Sequence, residues 1–117
     1  MSERYFHGGP PGLTQIKPPS LTGEAGLRPY GTSDVSRPDR VYVTTDFASA
    51  LMYAVGHPSG QGVVYQVEPI SPLEHDPDCT ERGLSYACRG ARVIKVYPVS
   101  DAWRHIVWTM LARSLRP

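Results

Sequence analysis

Cysteine is scarce, with Cys79 and Cys88 the only two in 117 residues. At most one bridge could form, which excludes a disulfide-stapled miniprotein. The opening residues, MSERYFHG, hold no apolar secretory region, so free thiols in a cytoplasmic protein are expected. No apolar run approaches the roughly 18 residues of a membrane span, and no membrane partner is expected. Also missing are a GxxxxGK[ST] phosphate loop, a GxGxxG turn, HExxH and GxSxG. P-loop, Rossmann, zincin and α/β-hydrolase chemistry are set aside accordingly.

The middle of the chain lacks cations altogether. Residues 41–81 carry Asp46, Glu68, Glu74, Asp76, Asp78 and Glu81 without one Lys or Arg, whereas residues 82–117 carry seven bases against Asp101 alone. The formal charge of +1 therefore hides a split that a uniformly basic nucleic-acid binder would not show. Length and a 40% apolar content suit one domain over residues 1–117, burying roughly two thirds of its extended-chain surface.

What is abundant is proline, and half of the 12 prolines fall in residues 10–38. Proline fixes φ and removes a donor, so this stretch reads as a long loop, not a helix or a central strand. Around it the elements are short. Strands are expected at Arg4–His7, Arg40–Thr44, Gly62–Glu68 and Arg92–Tyr97, where β-branched and aromatic residues are bounded by turn formers. Thr45 or Asp46 can cap a helix running to about Val55, with Phe47, Ala50, Leu51 and Ala54 on one side and Gly56 as its stop. Asp101 can cap a second helix with Trp103, Ile106, Val107, Met110, Leu111 and Leu115 on its apolar side. The class is α+β. Residues 70–91 read as a second long loop.

His75, Cys79 and Cys88 have a spacing that zinc could use, but Pro77 and Asp78 break any helix there and no CxxC pair supports it, so no metal is expected. The remaining polar residues sit at strand ends. His7 follows Tyr5-Phe6 and precedes Gly8-Gly9, where the backbone can be approached closely. Tyr42 lies in the second strand, Tyr53 in the following helix, and Asp76 in the cluster Glu74-His75-Asp76-Pro77-Asp78. Taken singly these are a turn histidine, two packing aromatics and an Asp-Pro turn.

Together they resemble the His-Tyr-Glu class of ADP-ribosyltransferases, and more nearly the rifampin ADP-ribosyltransferases. The segments that carry the resemblance are YFHGG (5–9), RVYVTTD (40–46), VYQVEPISPLEHDPD (64–78) and LSYACRGARVIKVYPV (84–99), collinear with that family's order. The resemblance implies a small fold in which two short antiparallel sheets form an NAD cleft. It implies that His7 holds the nicotinamide-side ribose, that the Gly8 backbone meets the carboxamide, and that Tyr42 and Tyr53 flank the nicotinamide ring. Asp76 takes the acidic position, with Glu74 as its rival, and stabilises positive charge developing on the ribose. NAD is then a co-substrate and no metal is needed. The implied activity is transfer of ADP-ribose to an acceptor hydroxyl, a rifamycin or a protein or nucleic-acid target. A non-catalytic NAD or ADP-ribose binder and an RNA 2′-phosphotransferase are the alternatives. Arg4, Lys17, Arg28 and Arg92 are the candidates for the pyrophosphate. The HGT of the family is His7-Gly8-Gly9 here, and the resemblance fades from about Trp103.

Overall fold

The computed structural model describes residues 3–18, 21, 39–75 and 85–114. Among them the elements run β1 (Tyr5–Gly9), β2 (Gln15–Ile16), β3 (Val41–Thr44), α1 (Phe47–Val55), β4 (Val63–Pro69), β5 (Glu74–His75), β6 (Ser85–Cys88), β7 (Ala91–Tyr97) and α2 (Asp101–Ser114). The architecture is α+β, as the patterning implies. The strands form one seven-stranded sheet in the order β2-β7-β4-β1-β3-β6-β5, and every pairing is antiparallel. The expectation of two sheets is therefore corrected. Phe6 and Thr44 still pair across β1 and β3, and that one Cα pair joins the two halves.

β4 is the centre of the larger half. Val63, Val64 and Tyr65 are all buried, because β4 lies between β1 and β7 with apolar groups on both faces. On one face Tyr65, Val67, Val41, Val43, Cys88 and Ile16 form the main cluster. On the other, Phe6 and Val64 pack against Ala50 and Ala54 of α1. Phe6, Phe47 and Tyr97 meet edge to face, with centroids 5.3 to 6.3 Å apart, and hold the first turn of α1 to the sheet.

α1 forms as its sequence predicts. Asp46 is the N-cap, its carboxylate accepting from the Ser49 amide at 3.2 Å and from the Ser49 hydroxyl at 2.6 Å. Gly56 ends it with an ordinary φ of −76°, and Pro58 just beyond cannot continue the helix. α2 differs from expectation in two ways. Its cap is Ser100 rather than Asp101, the Ser100 hydroxyl accepting from the Trp103 amide at 3.2 Å. Of its expected apolar side only Val107 is buried, against Val55, while Trp103, Ile106 and Met110 are about half exposed or more. Leu115 and the Leu111 side chain lie outside the described residues.

Three strands fall inside stretches that read as loops. β2 is a two-residue edge strand in the proline-rich segment, consistent with the bar on central strands there. β5 and β6 lie within 70–91, and β6 pairs with β3 from Val41–Cys88 to Thr44–Ser85. Between β4 and β7 the register shifts at Gln66/Val67, so Ile94 is the extra residue of a bulge and is 54% exposed. No described helix is long and apolar enough to cross a membrane.

Candidate active site

β1 is held unequally on its two sides. Toward β4 all five of its residues are paired, from Tyr5–Val67 to Gly9–Val63. Toward β3 the ladder register is Phe6–Thr44, and it does not extend to His7, Gly8 and Gly9 among the described residues. The strands part beyond Phe6, and of the expected site residues His7, Gly8, Tyr42 and Tyr53 lie at that seam.

His7 reaches across it. Its Nδ1 lies 2.8 Å from the Tyr42 carbonyl oxygen, which can only accept, so Nδ1 carries the proton. The ring lies beside Gly9, within 3.4 Å of where a Gly9 Cβ would stand. One hydrogen bond thus sets the ring's tautomer and orientation and ties β1 to β3.

Strand alternation sends Gly8 to the opposite face, under α1. A Cβ on Gly8 would lie 2.3 Å from the Ala50 carbonyl oxygen, 2.6 Å from the Ala54 amide nitrogen and 3.0 Å from Cβ of Tyr53. Only glycine lets the helix come this close. Tyr53, 43% exposed, therefore stands directly over Gly8, and the half-buried Tyr42 lies on the strand across the seam. His7, Gly8, Tyr42 and Tyr53 are brought together, with the imidazole on one face and the two tyrosines on the other.

A cavity of about 300 Å³ opens beside the imidazole, lined by His7, Pro10, Leu13, Thr14, Ile16 and Lys17 among others. Its wall is tied down by Tyr65, which pairs with His7 across β1 and β4. The Tyr65 hydroxyl donates to the Pro10 carbonyl and accepts from the Leu13 amide at 3.1 Å. Tyr65 is not among the site residues that the sequence marks out. Its one signal was a tyrosine in an otherwise aliphatic strand, since a buried phenol needs partners for its hydroxyl. Lys17 is the pyrophosphate candidate that lines this cavity. Arg92 is instead paired with Glu68 at 3.2 Å, Arg4 is exposed, and Arg28 lies outside the described residues.

Asp76 also lies outside the described residues, immediately after β5. Its rival Glu74 does not sit at the seam. Tyr42, Ala87 and Glu74 form one cross-strand row over β3, β6 and β5, which places Glu74 two strand spacings from Tyr42, roughly 10 Å. Glu74 is 3.5 Å from Nε of Arg40. Of the candidate zinc ligands, Cys79 lies outside the described residues and Cys88 is buried, its thiol donating to the Gly90 carbonyl at 3.3 Å. Burial pushes the Cys88 thiol above the usual range. Comparison with known proteins finds no matching family model and no matching curated protein.

Proposed function

We propose that this chain is a mono-ADP-ribosyltransferase that takes NAD as co-substrate and passes ADP-ribose to an acceptor hydroxyl, with a rifamycin as the first acceptor to test. The observation that carries the proposal is the meeting of His7 with Tyr42 where β1 and β3 part. Gly8 and Tyr53 stand at the same place. Residues from three separate segments converge there, in the combination this chemistry uses.

The residues suit the ligand by type. The imidazole of His7 is a hydrogen-bonding group suited to a ribose hydroxyl. Tyr42 and Tyr53 supply aromatic faces for a pyridinium ring, and Lys17 supplies a cation for the pyrophosphate. The cavity is at the small end of the roughly 300–1,000 Å³ common for ligand pockets, so it takes part of a dinucleotide. The bond between ribose and nicotinamide breaks, nicotinamide leaves as a neutral molecule, and the acceptor oxygen bonds to the ribose with loss of its proton. Asp76 is assigned the stabilising negative charge by the resemblance, with Glu74 as its rival.

The test is incubation with NAD, with and without a rifamycin, reading free nicotinamide and the mass of the acceptor. Release of nicotinamide is expected, and a gain of one ADP-ribose identifies the acceptor. His7→Ala should lower turnover about 10- to 100-fold, the worth of a hydrogen bond in a charged site, without unfolding the chain. A thermal shift with NAD but no nicotinamide would identify a binding module instead. Equal turnover by His7→Ala would remove the site assignment.

A further inference from the structure

A second cavity, of about 370 Å³, is lined by Arg40, Ile70, Ser71, Pro72, Glu74, Cys88 and Arg89, none of which lines the His7 cavity. We propose that it is a binding site for a small organic monoanion, a carboxylate or phosphate ester with an apolar body. This reading does not depend on the NAD chemistry.

Among the described residues the charges lining the cavity are Arg40, Arg89 and Glu74, and Asp39 pairs with Arg40 from outside the lining. Arg89 is exposed and has no carboxylate within ion-pair reach among the described residues. Arg40 is only 13% exposed. One of its terminal nitrogens is committed to Asp39 at 2.7 Å, while its buried Nε has no hydrogen-bond partner. Glu74 stands 3.5 Å from that Nε, longer than the roughly 2.7–2.9 Å of a charge-assisted hydrogen bond. Arg40 is held by Asp39 and Glu74, so Arg89 is the cation left to meet an anion among the described residues, and Glu74 repels a second negative charge, which suits a monoanion better than a dianion.

The walls are built before any ligand arrives. The Arg89 amide donates to the Ser71 hydroxyl at 2.8 Å, and the Ile70 amide donates to the Gly90 carbonyl at 3.0 Å. These bonds lock the segment after β4 to the turn between β6 and β7, so little ordering cost remains for binding. Ile70, 71% exposed, and Pro72 offer an apolar surface beside the guanidiniums. An exposed isoleucine next to an unpaired arginine matches a ligand that is apolar at one end and anionic at the other.

The experiment titrates the full chain with benzoate, and separately with inorganic phosphate at a pH where the monoanion dominates, following backbone amides by NMR. Saturable shifts centred on Ser71, Glu74, Arg89 and Gly90 are expected with benzoate, with phosphate distinguishing an oxyanion requirement from one that includes the apolar body. Arg89→Gln should weaken the binding about tenfold while leaving thermal stability unchanged, since its side chain is exposed. Arg92→Gln, a control on an exposed pair elsewhere, should leave it unaltered. Shifts spread over the whole surface without saturation, or equal weakening by the two variants, would overturn the site.

Discussion

The two flanks of β1 are held by different means, and the proposed chemistry lies at the looser one. On the β4 side five consecutive pairs and a core on both faces hold it rigidly. On the β3 side one pair and one imidazole bond hold it. A fully laddered β1 would bury its edge in backbone hydrogen bonds and leave nowhere for a ligand to meet both His7 and the Gly8 backbone. The flank that stabilises the fold is thus separate from the flank that presents the residues, and substitutions should divide accordingly.

The largest effect should come from Gly8→Ala. The added Cβ meets the backbone of α1, which cannot move aside as a flexible side chain would, so a loss of about 2–4 kcal/mol is expected in urea unfolding. A cost under about 0.5 kcal/mol would mean that α1 is seated more loosely than the structure has it. Tyr65→Phe tests the opposite flank more gently. It keeps the ring in the core and removes the hydroxyl that ties Pro10 and Leu13, so about 1–2 kcal/mol should be lost. The Leu13 amide should also exchange faster with solvent; unchanged exchange would detach Tyr65 from the cavity wall.

The smallest effect concerns pH. The buried Cys88 thiol has a raised pKa, so the unfolded chain ionises first and stability should fall as pH rises through the ordinary thiol range near 8.5 and up to the raised folded value. Below that range the contribution is fully present. Comparing Cys88→Ala with the parent chain from pH 7 to 10 checks it, and parallel stability curves would refute it.

Much of the fold was legible because local chemistry and tertiary packing agreed. The Asp46 cap, the Ala50 and Ala54 face of α1 and the Val-rich β4 all read correctly, since capping and burial demanded the same residues. α2 read only in part. Its periodicity specifies a helix, but the number of apolar residues on one side does not specify how many will find a partner, and among the described side chains of that side Val107 alone is buried. β6 left no pattern of its own. SYAC has two small residues and no alternation, and it became a strand because β3 offered it four paired positions. The seam was illegible for a related reason: His7 and Tyr42 are identifiable as polar residues on strands, but the hydrogen bond between them spans 35 positions.

The sequence by itself determined the α+β class, the main strands and both helices, because side-chain periodicity and capping act within a few residues. Proline bars residues 10–38 from the middle of the sheet, and the described part of that stretch contributes only the edge strand β2 to it, although Leu21 is helical where a loop is expected. Tertiary structure alone decided that the strands form one sheet joined at Phe6–Thr44, that β1 and β3 part beside His7, and that Arg40 meets Arg89 around a cavity. These are contacts between distant segments, and their energies depend on which edges are left when the rest of the chain has packed.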